Sequence, residues 1–277
     1  MAAAGKVRCV QCVDAHVHAF PDRLALAVRE RLDRDGRLAG SPLLPAVAQS
    51  VRDNGFDAAW ILPYAHRAGV AESVNEWSAA EVASVPWLVA GATFHPADPD
   101  FDRLVERALG ELRLRVVKLH CAVGQFSPAD PRLAPLWQAA SSLGVPVVVH
   151  AGQVSPGDTS AGELQELEPV LAAHPGLRVV LAHAGHPATA AAVELMARHT
   201  NLYADLTPVW DRPVELVTED IGRFPGRFLF GSDAPNNPVA AKGQRARLEE
   251  MGLATAELAM VLGGTAMALT PGPSPTR

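Results

Sequence analysis

The chain has 277 residues, 48% hydrophobic and 19% charged, with a formal net charge of −6, which suits one large globular domain. That balance excludes nucleic acid as a main partner, because phosphate binding rests on clustered Lys and Arg. No apolar run reaches the roughly 18 residues of a membrane span, and the opening Met1–Lys6 lacks the regions of a secretory signal, so a cytoplasmic protein is expected.

Short apolar runs recur along the chain. The first is Val7 to Val13, followed by "DAHVHAF". It contains Cys9 and Cys12, but the C-x-x-C spacing opens no helix and has no second pair, so these read as buried thiols. Between Asp22 and Asn54 lie two helical pieces split around "GRLAGSPLLP", longer than one crossover needs, which permits a loop insertion or lid. Further runs follow at Phe56–Ala65, Trp87–Pro96, Leu114–Ala122, Gly144–Gly152, Leu177–Gly185, Asn201–Pro208 and Arg227–Pro235. Each is short and rich in Val and Leu, as strands buried on both faces are.

Glu72–Val85, Asp100–Leu112, Pro131–Leu143 and Pro187–His199 read as amphipathic helices, with Pro131 and Pro187 in first turns. Eight strands alternating with helices predict a single-domain α/β fold, a (β/α)8 TIM barrel, over residues 1–269. An open doubly wound sheet would show a Gly-rich phosphate loop after its first strand, and none follows here. The tail 270–277, rich in Pro, Ser and Gly, is expected to be disordered.

Chemistry collects at the strand ends. Residues i and i+2 of a strand face one side, so His16 and His18 project together, with Asp14 if the strand continues that far. His150 closes the fifth run, His183 the sixth and Asp233 the eighth, while Lys118 and His120 end the fourth. Taken singly, each reads as an ordinary loop histidine or carboxylate. In a barrel, however, all eight strand ends meet at one mouth. Imidazoles and a carboxylate gathered there suit Zn, Mn or Fe.

The pieces "VDAHVH" (13–18), "VVKLH" (116–120), "VVVHAG" (147–152), "VVLAHAG" (179–185) and "FGSDAP" (230–235), with "SVNEWSAAEVASVPWLVAGATFHP" (73–96) and "VLGGTAMAL" (261–269), resemble the amidohydrolase superfamily of metal-dependent barrels. The nearest likeness is to the amidohydrolase-related group that includes aminocarboxymuconate-semialdehyde decarboxylase. The resemblance implies that His16, His18, His150 and Asp233 bind a divalent metal, with zinc the first expectation. It implies that Asp233 also takes a proton from metal-bound water, and that His183 polarises the substrate or acts as acid/base. Lys118 and His120 are candidates for a second metal or for substrate; a carboxylated Lys118 would bridge two ions, and one ion is the preferred reading.

The chain departs from these relatives in two places. Thr265 stands where the closing helix usually has Asn, and Ala19-Phe20 follow the H-x-H where ring-opening relatives place Arg to hold a carboxylate. Arg23, Arg67, Trp210 and Arg212 match no substrate-loop motif. His66, His95, Tyr64, Gln153 and Trp210 are placed to line a pocket. His174, His186 and His199 read as structural at helix ends, and Asp205 as a partner that orients a ligand. The expected activity is a metal-dependent hydrolase of an amide, ester or lactone in a small molecule. The alternatives are a non-oxidative decarboxylase of a small aromatic or dienoic carboxylate, or a non-catalytic metal-stabilised barrel. A homodimer is permitted, as relatives often form dimers.

Overall fold

The computed structural model describes residues 11–34, 40–150, 161–207, 216, 218–237 and 240–270. Cys9, Gln153, Trp210, Arg212 and the tail beyond Thr270 lie outside the described residues. Thr270, expected to begin the tail, instead closes the last helix, its backbone N–H and hydroxyl both donating to the Ala266 carbonyl at 3.0 Å.

Eight strands form one sheet in chain order, each parallel to the next. They are β1 (Val13–Val17), β2 (Ala58–Ile61), β3 (Leu88–Thr93) and β4 (Val116–Leu119), then β5 (Val147–Val149), β6 (Val179–Leu181), β7 (Leu202–Asp205) and β8 (Phe228–Leu229). Beyond β8 the chain bonds back to β1. Ala15 N donates to Phe230 O at 2.9 Å, Asp233 N to His16 O at 2.8 Å and His18 N to Ala234 O at 2.7 Å. The expected barrel is therefore present, with helices between the strands as parallel crossovers require.

Several boundaries move. The first strand, expected over Val7–Val13, is Val13–Val17, so the histidine pair begins within it rather than after it. Hydrophobicity alone does not mark the strand, because the pairing partner is β2 and the buried face of its end is polar. Helix Ala161–Ala173, with Pro169 inside it, fills the crossover from β5 to β6, and helix Ala241–Glu250 follows β8. Helices Asp22–Arg34 and Leu44–Asp53 occupy the long first crossover.

The barrel interior is graded. At one end Val13, Ala15, Trp60, Leu62, Val116, Val148, Val180 and Leu229 form a buried apolar cluster. Burying each of its Val and Leu side chains stabilises the fold by roughly 1.5–3 kcal/mol. Two residues further along the same strands, on the same face, stand Lys118 (after Val116) and His150 (after Val148). Lys118 and Asp205 are fully buried. The gradient points to one polar floor at the C-terminal strand ends.

Strand β1 reaches that floor by an irregularity. Its register with β2 shifts between Asp14 and Val17. Val13 and Ala15 belong to the interior cluster, while Val17 and Ala19 pack with the outer core. An extra residue in the strand thus turns both His16 and His18 inward after Ala15. Asp14 does not join them, contrary to the unbroken alternation expected. Its carboxylate accepts from Ser232 N at 3.0 Å and His16 N at 3.3 Å, tying β1 to the exit of β8.

Candidate metal centre and active site

His16 is fully buried and His18 nearly so. His16 Nδ1 lies 2.8 Å from Asp205 Oδ2, and His18 Nδ1 lies 2.6 Å from the Leu62 carbonyl oxygen. Both partners only accept, so each Nδ1 carries a hydrogen, and in the neutral ring Nε2 keeps the lone pair. Burial first, then the Lys118 ammonium, pushes the His16 imidazole down to about 3 against the pull of Asp205, leaving it neutral near pH 7. Phe20 stacks almost parallel to His18, ring centroids 6.2 Å apart. The residue standing where relatives place Arg thus packs a ligand candidate from behind.

The two Nε2 atoms are 3.2 Å apart. Asp233 Oδ1 lies 3.0 Å from His18 Nε2 and 3.8 Å from His16 Nε2. These three ligand atoms all lie within 4.8 Å of one another. Two imidazole Nε2 atoms and a carboxylate oxygen converge on one point, each able to offer a lone pair. That donor set fits a divalent ion such as zinc or manganese. Burial raises the Asp233 carboxyl, but the His18, His183 and His16 imidazoles around it outweigh that and hold the group far below the usual range.

The backbone is built to deliver these groups. His183 and Asp233 both have left-handed φ values, 57° and 58°, a conformation that costs non-glycine residues roughly 1 kcal/mol or more. Gly231 has no side chain to spare. A Cβ there would lie 2.6 Å from His16 Cβ and 2.8 Å from Thr207 Cγ2.

Around the trio stand the other candidates. Lys118 Nζ lies 3.1 Å from His16 Nε2, and burial lowers its ammonium to about 8. His120 and His150 stack face to face with centroids 3.8 Å apart, and His150 meets His183 edge-on at 4.8 Å. Burial pushes all three of these imidazoles below their ordinary value. His150 Nε2 is buried without a hydrogen-bond partner, and its ligand atoms fall outside the His16–His18–Asp233 group. A buried imidazole nitrogen of this kind fits a proton donor or a cation as its partner.

His183 Nδ1 lies 2.7 Å from Thr207 Oγ1 and 3.1 Å from the Thr207 carbonyl oxygen. The Thr207 hydroxyl donates to Asp205 Oδ1 at 2.7 Å, so His183 Nδ1 is the donor and its Nε2 is bare.

The remaining expectations divide. Tyr64 meets His18, Phe20 and His120 edge-on, at 5.4, 4.9 and 5.0 Å, and so lines the mouth. His95 does not offer a free nitrogen to a pocket. Its Nε2 bonds to Gly124 O at 2.9 Å and its Nδ1 accepts from Ala97 N at 3.1 Å, which ties two loops together. His66, Arg67 and Arg23 are exposed. His199 follows helix Thr189–Arg198 and pairs with Glu168 at 3.4 Å, and His174 follows helix Ala161–Ala173. His186, in turn, ends the short turn Ala182–Gly185. The residues missed by sequence reading are Thr207 and Gly231. Thr207 stood two residues beyond Asp205 on the same face, which is the signal that could have found it.

Over residues 13–271 the chain matches the sequence profile of a family described as amidohydrolase. A comparison with curated protein sequences found no match. Among solved structures, it resembles an uncharacterized TIM-barrel protein from Bordetella bronchiseptica at TM-score 0.75 and 18% identity, over 93% of this chain and 97% of the other. It also resembles 5-carboxyvanillate decarboxylase from Sphingomonas paucimobilis, at TM-score 0.72 and 17% identity over 94% and 98%. The Novosphingobium aromaticivorans 5-carboxyvanillate decarboxylase, complexed with manganese and a nitrobenzoic acid, gives TM-score 0.69 and 15% identity over 94% and 96%. Among the described residues no helix is long and apolar enough to cross a membrane.

Proposed function

The chain belongs to the amidohydrolase family, and from that premise we propose that it is a metal-dependent decarboxylase of a small aromatic or dienoic carboxylate. One observation carries the reading: three acceptors, two of them buried, converge beside Lys118, the fully buried cation among the described residues. Asp205 and Asp233, both ionised, outnumber that single ammonium. A divalent ion would turn the deficit into an excess of one positive charge, which a monoanionic acid neutralises. The decarboxylases among the structural neighbours support the choice of reaction.

His16, His18 and Asp233 would hold the ion, and the orphaned His150 Nε2 would be a further ligand. When bound, such an ion supplies Lewis acidity that stabilises negative charge on oxygen. The protein's own groups do the rest. Lys118 and His120 would receive the substrate's carboxylate or ring oxygen. Tyr64 and the stacked His120 and His150 rings give flat walls for a planar acid. As the bond between carbon and the carboxylate breaks, its electron pair stays on carbon and CO2 leaves. The bare Nε2 of His183 first takes a proton from water or from a substrate hydroxyl, and then passes it to that carbon.

The second reading is hydrolysis of an amide, ester or lactone. The bare Nε2 of His183 favours it, since it can take a proton from an attacking water. A non-catalytic metal-stabilised barrel is disfavoured, because a purely structural site needs neither a buried lysine nor His183. The test is to supply the purified, metal-loaded protein with carboxyl-labelled hydroxybenzoates and dienoic acids, and separately with lactones, esters and amides. Metal-dependent release of labelled CO2 is expected. Hydrolysis with no CO2 from any acid would replace this reading by the second.

A further inference from the structure

We propose that Asp205 is the positioning residue that fixes which nitrogen of His16 carries the hydrogen, and that it does so with one oxygen while the other anchors His183. The proposal rests on the reading of His16 as a metal ligand. Asp205 is fully buried and every hydrogen bond it accepts has an assigned donor. Oδ2 accepts from His16 Nδ1 at 2.8 Å. Oδ1 accepts from His183 N at 2.9 Å, from the Thr207 hydroxyl at 2.7 Å and from Thr207 N at 3.3 Å. The carboxylate therefore holds His16 with its Nε2 lone pair facing His18 and Asp233, which is the form a metal needs.

The consequence is sharpest for Asp205→Asn. On the Oδ1 side stand two backbone N–H groups, which can only donate. The amide oxygen must take that side, so the amide NH2 turns toward His16 Nδ1. That nitrogen must then accept, and the ring hydrogen moves to Nε2. There it meets His18 Nε2, 3.2 Å away. His18 cannot shift its own hydrogen, because its Nδ1–H is committed to the Leu62 carbonyl at 2.6 Å. The two imidazoles would then hydrogen-bond to each other in place of a metal. Lys118 would lose its acceptor on His16. The variant keeps its Oδ1 contacts and its fold, yet both ligand lone pairs are spent. Thr207→Val is the opposite case: it removes the hydroxyl beside His183 and leaves His16 untouched.

Two-bond proton–nitrogen NMR on metal-free, 15N-histidine-labelled protein reads the tautomer of each ring directly. The wild type is expected to show His16 protonated at Nδ1, Asp205→Asn to show it at Nε2, and Thr207→Val to keep the wild-type His16 pattern. Titration with zinc alone is expected to give affinity weakened by about 100-fold in Asp205→Asn, the upper end for partners that orient a ligand. A wild-type His16 protonated at Nε2 overturns the proposal, whether or not the variant folds. So does a folded Asp205→Asn with an unchanged His16 ring. If the tautomer reverses in the variant but the wild type itself takes up no zinc, the positioning role stands and the metal reading falls.

Discussion

The two ends of the barrel interior are built from the same strands and differ by two residues in sequence. At the apolar end Val116, Val148 and Leu229 pack against Trp60 and Leu62. At the polar end Lys118, His150 and Asp205 are buried with equal completeness or nearly so. Burying aliphatic groups stabilises the fold, whereas burying ionisable groups costs free energy unless each is paired. The protein therefore concentrates its stability at one end and its unfavourable electrostatics at the other. The comparison teaches that the polar end was assembled for something other than folding.

Substitutions that separate the two ends put this division to work. The largest effect expected is at Asp233→Asn, with turnover falling more than about 1,000-fold, since even residues that only orient metal ligands cost 10- to 100-fold. Its thermal unfolding should stay near wild type, and a parallel collapse of stability would erase the division. Leu229→Ala should do the reverse. Removing a fully buried Leu from the apolar cluster costs about 2–5 kcal/mol, read by denaturant unfolding, while zinc affinity of the folded fraction stays unchanged.

Lys118→Met is expected to stabilise. The buried ammonium is lowered from 10.5 to about 8, and at 1.36 kcal/mol per pKa unit that is roughly 3 kcal/mol. Below pH 8 the lysine is charged in both folded and unfolded chains, so the penalty is full. As pH rises from 8 to 10.5 the folded chain sheds its proton first and the wild type recovers stability. The gain of Lys118→Met over wild type should therefore be largest at pH 7 and nearly gone by about pH 10.5. Metal-free unfolding curves of both proteins check this, and a gain that grows with pH would contradict it. The smallest effect expected is at Gly231→Ala, whose new Cβ would crowd His16 and Thr207. Overpacking of this kind costs about 1–3 kcal/mol, and zinc calorimetry should show weaker binding.

Much of the polar end was legible in the sequence. The H-x-H pair, His150, His183 and Asp233 each stand at a strand end, and a barrel brings strand ends together whatever their separation along the chain. Asp205 was a candidate orienting partner from its place at the end of the seventh run, but the sequence did not tell its inward face from its outward one. What was not legible depended on pairing between distant segments. The bulge that removes Asp14 from the ligand face exists only in the register of β1 against β2. The fate of His95 is decided by a carbonyl at Gly124 on another loop. Thr207 acquires its role only because Asp205 and His183 both reach it. Alternation along one strand predicts which way a residue points, but not which partner will meet it there.

The central claim is that the polar end is a metal centre built on His16, His18 and Asp233. Its most direct measurement is zinc and manganese binding by calorimetry, with metal content per chain, on the wild type and on a His16→Asn/His18→Asn double variant of equal thermal stability. One ion per wild-type chain and none in the double variant is the expected result. Equal metal uptake by the two proteins would contradict the account.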